Sequence, residues 1–131
     1  MNSNLQNGAA LAGRVLLALL FVLSGFQKIT GYSGTAGYMA SAGLPMIGLL
    51  LPLTILIEFG GGLLLVIGWQ TRWVALVVFL FLIPVTATFH NAAVDPTQMV
   101  MLLKNIAIIG GMLQLFAFGP GAWSVDKRRT V

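Results

Sequence analysis

The chain has 131 residues, 58% of them hydrophobic and only 8% charged, with a formal net charge of +4 and no cysteine. A soluble domain carries roughly 25% charged residues, and one this small buries only about two-thirds of its surface, so the composition excludes a water-soluble globular fold. The missing cysteines exclude disulfides, thiolate metal sites, iron–sulfur clusters and any thiol relay carried by this chain alone.

A membrane-crossing helix needs about 20 apolar residues to span roughly 30 Å of hydrocarbon. The first such run covers residues 9–29 and contains Arg14, with Lys28 at its end. No basic residue stands ahead of this run and no Ala-x-Ala site follows it, so the reading is a retained helix rather than a cleaved leader. Residues 30–45, TGYSGTAGYMASAGLP, make a connection longer than the usual helix–helix link. Within it Thr35 to Ala42 is expected to form a short interfacial helix, with Thr35 as N-cap, Gly43 as the stop and Pro45 beyond. Tyr38 and Met39 would then rest on the outer leaflet or fold over the mouth of the bundle.

The second span is expected over 46–68 and holds Glu58 beside Gly60, Gly61 and Gly62. The third covers 73–91, with Pro84 inside and His90, the single histidine, closing it. The fourth covers 98–118 and carries Lys104 and Asn105, then Gly110 and Gly111. No linker separates a second domain, so residues 1–131 form one all-α, integral-membrane four-helix bundle.

Orientation follows from the loops. Lys127, Arg128 and Arg129 in the tail and Arg72 between the second and third spans lie on one side, while the two connections on the other side carry no Lys or Arg. Basic residues are retained in the cytoplasm, and Trp69, Trp73 and Trp123 mark the same boundary as interfacial anchors. Both termini are therefore expected to be cytoplasmic.

The chemistry is concentrated in the ionisable groups inside the spans. A charge at bilayer depth costs about 2.5 to 3.5 kcal/mol on insertion scales, which makes each such residue a functional candidate. Arg14, Phe21, Gly25 and Lys28 are spaced by seven, four and three residues and share one stripe of the first helix. Counting depth at about 1.5 Å per residue places Arg14 about 8 Å inside the cytoplasmic boundary and Glu58 about 15 Å above it. The expectation is an Arg14–Glu58 structural ion pair, suited to a bidentate guanidinium. Lys28, His90 and Lys104 sort to a second level near the outer face. There they are expected, with Asn105, to bind a ligand, while Glu58 and His90 are the candidates for proton transfer. Arg14, Lys28 and Lys104 against Glu58 leave an excess of two positive charges, which suits a quinone headgroup, a small anion or a lipid phosphate. No metal site is expected, and nucleic acid is not a partner, because three of the seven basic residues are shut off from any exposed basic face.

The run RVLLALLFVLSGFQKITGY, followed by YMASAGLP, IEFGGGLLLVIGWQTR, His90 and LLKNIAIIGGMLQL, resembles the DoxX family of small bacterial inner-membrane proteins over nearly the whole chain. The resemblance implies a multi-pass inner-membrane protein with Arg14, Gly25, Lys28, Glu58, Gly68 and Lys104–Asn105 at family-pattern positions. The ending GPGAWSVDKRR is similar to a subgroup of uncharacterised enterobacterial inner-membrane proteins. Some relatives are associated with redox work, among them a subunit of a thiosulfate:quinone oxidoreductase and a membrane component of an oxidative-stress complex. Two readings therefore stand. In the first the chain is a quinone-interacting component of a membrane redox system, an oxidoreductase subunit. One histidine and no cysteine cannot hold a bis-ligated haem or a cluster, so electrons would pass through the quinone or a redox partner subunit. In the second it is a non-catalytic membrane subunit, or a binder of a small solute or lipid, with the charges as structural clamps. The lipid bilayer is the first partner expected, then a partner subunit or a further copy of the chain.

Overall fold

The computed structural model describes residues 2–89 and 96–129. Four helical stretches are long and apolar enough to cross a membrane: Ser3–Thr30, Ile47–Ile67, Thr71–Phe89 and Pro96–Phe118. Apolar length therefore located the spans to within a few residues, except at the start, where the first helix extends six residues earlier than residue 9. Asn2 accounts for this, because its side chain accepts a hydrogen bond from the Asn4 amide at 2.8 Å and caps the helix there.

Helix α1 is Ser3–Thr30, and after Gly31 the short helix α2 runs Tyr32–Ser41. Thr35 is not its N-cap as expected; its hydroxyl donates back to the Gly31 carbonyl at 3.0 Å, which lets the helix begin one turn sooner. Gly43 does end the segment. At φ +80° it supports bonds from its own amide to Ala40 O at 3.0 Å and from Leu44 N to Met39 O at 3.2 Å. Met39 is buried, and Tyr38 stacks on Phe89 with ring centroids 5.4 Å apart, so α2 lies over the mouth of the bundle.

The second span is continuous but not uniform. Helix α3 (Ile47–Ile55) passes into a π-helical turn (Leu56–Gly60) and then into α4 (Gly61–Ile67). Pro52 inside α3 lacks the amide hydrogen that would continue the ladder, and the wider turn follows four residues later. Helix α5 is Thr71–Phe89, α6 is Met99–Phe118 and α7 is Val125–Arg129. The second span packs along α1 and also against α5, and α5 packs along α6. Leu17 of α1 meets Gly111 of α6, which closes the ring. Ala18, Phe21, Leu65, Ala75, Val78, Leu82, Ile108 and Met112 fill the centre, while Leu16, Leu56, Leu80 and Leu103 face outward, as expected of a lipid-facing surface.

The closest approach is between α1 and the second span. A Cβ on Gly25 would lie 2.7 Å from both the amide nitrogen and the Cβ of Phe59, and one on Gly62 would lie 3.0 Å from the Val22 nitrogen. Neither neighbour is the flexible end of a side chain, so only glycine permits this spacing.

The end of the bundle that carries both termini is locked by the tail. Helix α4 stops at Gly68 (φ +75°), leaving C-terminal carbonyls to be satisfied. The Arg14 guanidinium, 3% exposed, donates from Nη2 to Val66 O and Trp123 O, both at 3.1 Å, and from Nη1 to Pro120 O at 2.6 Å. Asp126 supplies the opposite service to α5: its carboxylate accepts from Gln70 N at 2.7 Å and Thr71 N at 2.8 Å, while its own amide donates to Gly68 O at 2.9 Å. A cation thus meets the negative end of one helix and an anion the positive end of the next.

Two predictions follow from this packing. Gly25→Ala should destabilise the detergent-solubilised protein by roughly 1–3 kcal/mol through overpacking, whereas Gly110→Ala, with nothing within 4 Å of the added carbon, should stay within about 0.5 kcal/mol of the parent in thermal unfolding. Arg14→Gln should strip the tail of its anchor and cost about 3 kcal/mol or more, read as faster tryptic cleavage after Lys127.

Candidate functional site

The stripe inferred for α1 is its inward face: Arg14, Ala18, Phe21 and Gly25 are the buried residues of that helix. One turn past Gly25 stands Lys28. Because Gly25 admits Phe59 into contact, the residue before Phe59 arrives beside the end of α1, and that residue is Glu58. The Lys28 ammonium donates to Glu58 Oε2 at 3.1 Å and to Ser24 Oγ at 2.8 Å. The lysine side chain is 26% exposed and the glutamate 8%, so the pair is buried on the carboxylate side and open on the ammonium side.

This corrects the expected Arg14–Glu58 pair. Arg14 bonds Val66 O, eight residues beyond Glu58 and therefore about 12 Å along the helix. Depth counting had set the two groups about 7 Å apart. The Gly25–Phe59 register increases that separation, and the orphan carbonyls at the end of α4 are nearer acceptors for the guanidinium. Lys28, expected to stand with the outer cluster or to snorkel, is the partner Glu58 takes.

The π turn has a direct bearing on the site. It spans Glu58, the one ionisable residue of the second span, and turns its carboxylate into the bundle. Such turns insert one residue into the helical ladder and are frequent at functional positions.

Lys104 sits on α6, part-buried, and makes no hydrogen bond or ion pair with any described residue. Its height follows from register. Leu17 meets Gly111; Lys104 lies seven residues before Gly111 and Ser24 seven after Leu17, so on antiparallel helices the two are level. Lys104 therefore stands at about the height of the Lys28–Glu58 pair. Asn105 is turned toward α5, where its Nδ2 donates to Thr86 Oγ1 at 3.1 Å, with both residues buried. His90 lies outside the described residues.

Sequence reasoning missed Ser24, Thr86 and Asp126. Ser24 was accessible from spacing, since i and i+4 side chains meet on a helix. Thr86 carried a weaker signal, as a polar residue in an apolar span. Asp126 looked like part of a charged tail, and its capping role depends on the tail folding back over the helix ends.

The pair is testable by removing one charge at a time. Lys28→Met should destabilise by about 3–5 kcal/mol, because it strands a buried carboxylate, and Lys28→Met with Glu58→Gln should recover much of the loss. Arg14→Gln combined with Glu58→Gln should instead be additive, as measured by unfolding in detergent.

Comparison with known proteins adds to this geometry. A family model described as DoxX matches residues 9–91, a segment that includes Arg14, Ser24, Lys28 and Glu58. The chain is 42% identical over 123 residues to the Escherichia coli K12 inner membrane protein YqjF, covering 94% of this chain and 93% of that protein. It is 37% identical over 124 residues to the inner membrane protein YphA of the same organism, covering 90% of this chain and 88% of that one. No solved structure matches the chain. The four apolar spans, the family match and the two relatives agree: this is a multi-pass inner-membrane protein, and the chain belongs to the DoxX family.

Proposed function

We propose that the Lys28–Glu58 pair is the polar end of a binding site for a hydrophobic ligand with a hydrogen-bonding head, a quinone, and that the chain is a quinone-interacting component of a membrane redox system. The observation that carries this reading is the asymmetry of the pair: Glu58 is buried behind Lys28, while the ammonium keeps an accessible side. An ion pair built only for architecture has no need to leave its donor open. The residues fit such a head. Lys28 is held from behind by Ser24 and Glu58 and has a donor left, because an ammonium carries three. Lys104, level with it, has no acceptor among the described residues.

A bound quinone would supply the reversible redox chemistry that this chain's own side chains lack. The chain's part is then recognition and proton handling. Lys28 and Lys104 donate to the carbonyl oxygens of the head and favour negative charge there. Glu58 holds or releases a proton next to Lys28, and Ser24 fixes the ammonium so that it need not reorganise. Electrons come from a partner subunit. Both termini are placed in the cytoplasm on this reading, supported by Arg72, Lys127, Arg128 and Arg129 at that end.

A second reading rests on a different observation: several intramembrane polar groups are already matched within the chain, Glu58 by Lys28, Asn105 by Thr86 and Arg14 by carbonyls. There the protein is a non-catalytic membrane subunit, or a small-solute or lipid binder, with charges as clamps. Solvent extraction of the purified protein followed by mass spectrometry separates the two. On the quinone reading, quinone is recovered in near-stoichiometric amount from the parent, and Lys104→Met loses it while keeping its unfolding midpoint. Absence of quinone from the parent, with no binding of added quinone, leaves the clamp reading in place.

A further inference from the structure

At the terminus-bearing end of the bundle a groove of about 660 Å³ opens between the start of α5 and the turn that follows α6. Arg72, Trp73, Trp69, Phe118 and Lys127 are in its wall. We infer that this groove binds the headgroup phosphate of an anionic phospholipid, with Arg72 as its principal ligand.

Four observations lead there. Arg72 makes no hydrogen bond or ion pair with a described residue, although its guanidinium is placed rather than loose. A Cβ on Gly119 would come within 3.2 Å of Arg72 Nε, so the side chain lies against the bare backbone of that turn. Gly119 adopts φ +79°, a conformation that keeps the position free of a side chain.

The acid nearest to hand is already engaged. Asp126 is also in the wall, but both its oxygens accept backbone amides, from Gln70 and Thr71. Those bonds also take up the amides at the start of α5, so the helix end itself offers the ligand little. The anion that Arg72 can recruit must come from outside the chain.

The setting identifies the source. Trp73 and Phe118 are 66% and 76% exposed, beside the groove and at the ends of membrane-spanning helices. Indole rings favour the headgroup level, which sets the groove where lipid phosphates lie and gives the acyl chains two rings to run against. Arginine matches a phosphate with two parallel N–H donors, and basic pockets between membrane helices are a recurrent means of holding anionic headgroups. A zwitterionic lipid brings its own cation into the groove and gains less.

The test is native mass spectrometry of the full chain in neutral detergent, titrated with phosphatidylglycerol or with phosphatidylcholine of the same acyl chains. Preferential retention of phosphatidylglycerol is expected for the parent. Arg72→Gln should reduce that preference about fivefold, and Arg72→Lys should keep part of it. The unfolding midpoint of Arg72→Gln should not move, since the side chain bonds nothing within the protein. Equal retention of the two lipids by the parent overturns the proposal, a result that does not depend on any variant folding. Undiminished preference in Arg72→Gln overturns it as well. Displacement of bound phosphatidylglycerol by millimolar inorganic phosphate would reassign the groove to a soluble anion and equally overturns the lipid assignment.

Discussion

The contact between α1 and the second span determines most of what is distinctive in this molecule. In a bilayer, helices gain no hydrophobic advantage by associating, so close van der Waals approach must hold them together. Gly25 and Gly62 provide that approach, with Phe59 seated on one and Val22 on the other. The crossing also fixes a register, and the register decides which charges meet. With Gly25 against Phe59, Glu58 is carried to Lys28, and Val66 is carried to Arg14. Both pairings are consequences of one packing choice.

The two charge solutions differ in kind. Arg14 is satisfied by carbonyl oxygens that the chain would otherwise leave orphaned at a helix end, so the cation and the backbone each relieve the other's desolvation. The tail is recruited to complete the set, which ties residues near the C-terminus to the beginning of α1. Lys28 and Glu58 are instead a pair of opposite charges, with a serine hydroxyl as the third member. Burying such a pair seldom gains stability over apolar residues of the same volume. Its position in a π turn, with the ammonium open, gives it a working role beyond architecture.

Much of the fold was legible in the sequence because one quantity, apolar length, decides it. The four spans, the short helix over the bundle mouth and the stop at Gly43 all follow from local signals. The inward stripe of α1 was legible from spacing alone. The partner of Glu58 was not. Depth counting assumes that every helix starts where its apolar run starts, and Asn2 starts α1 six residues sooner than that. More importantly, a carboxylate in a span can be reached by any cation near its level, and only helix register selects among them. The π turn left no trace in periodicity, since one added residue in five shifts the pattern too little to see. Thr86 and Asp126 each act on another helix, so neither their neighbours in sequence nor their own propensities report what they bind.

The direct test of the central claim uses an accident of composition: Glu58 is the chain's one glutamate. Glutamate labelled with carbon-13 at Cδ therefore reports on that carboxyl alone. In lipid bilayers, a solid-state NMR dephasing experiment between this carbon and nitrogen-15 at the lysine Nζ should show strong coupling, as the 3.1 Å Lys28–Glu58 contact requires. That coupling should vanish in Lys28→Met. Dephasing by labelled arginine side chains instead, or by no lysine at all, would contradict the register and the site built upon it.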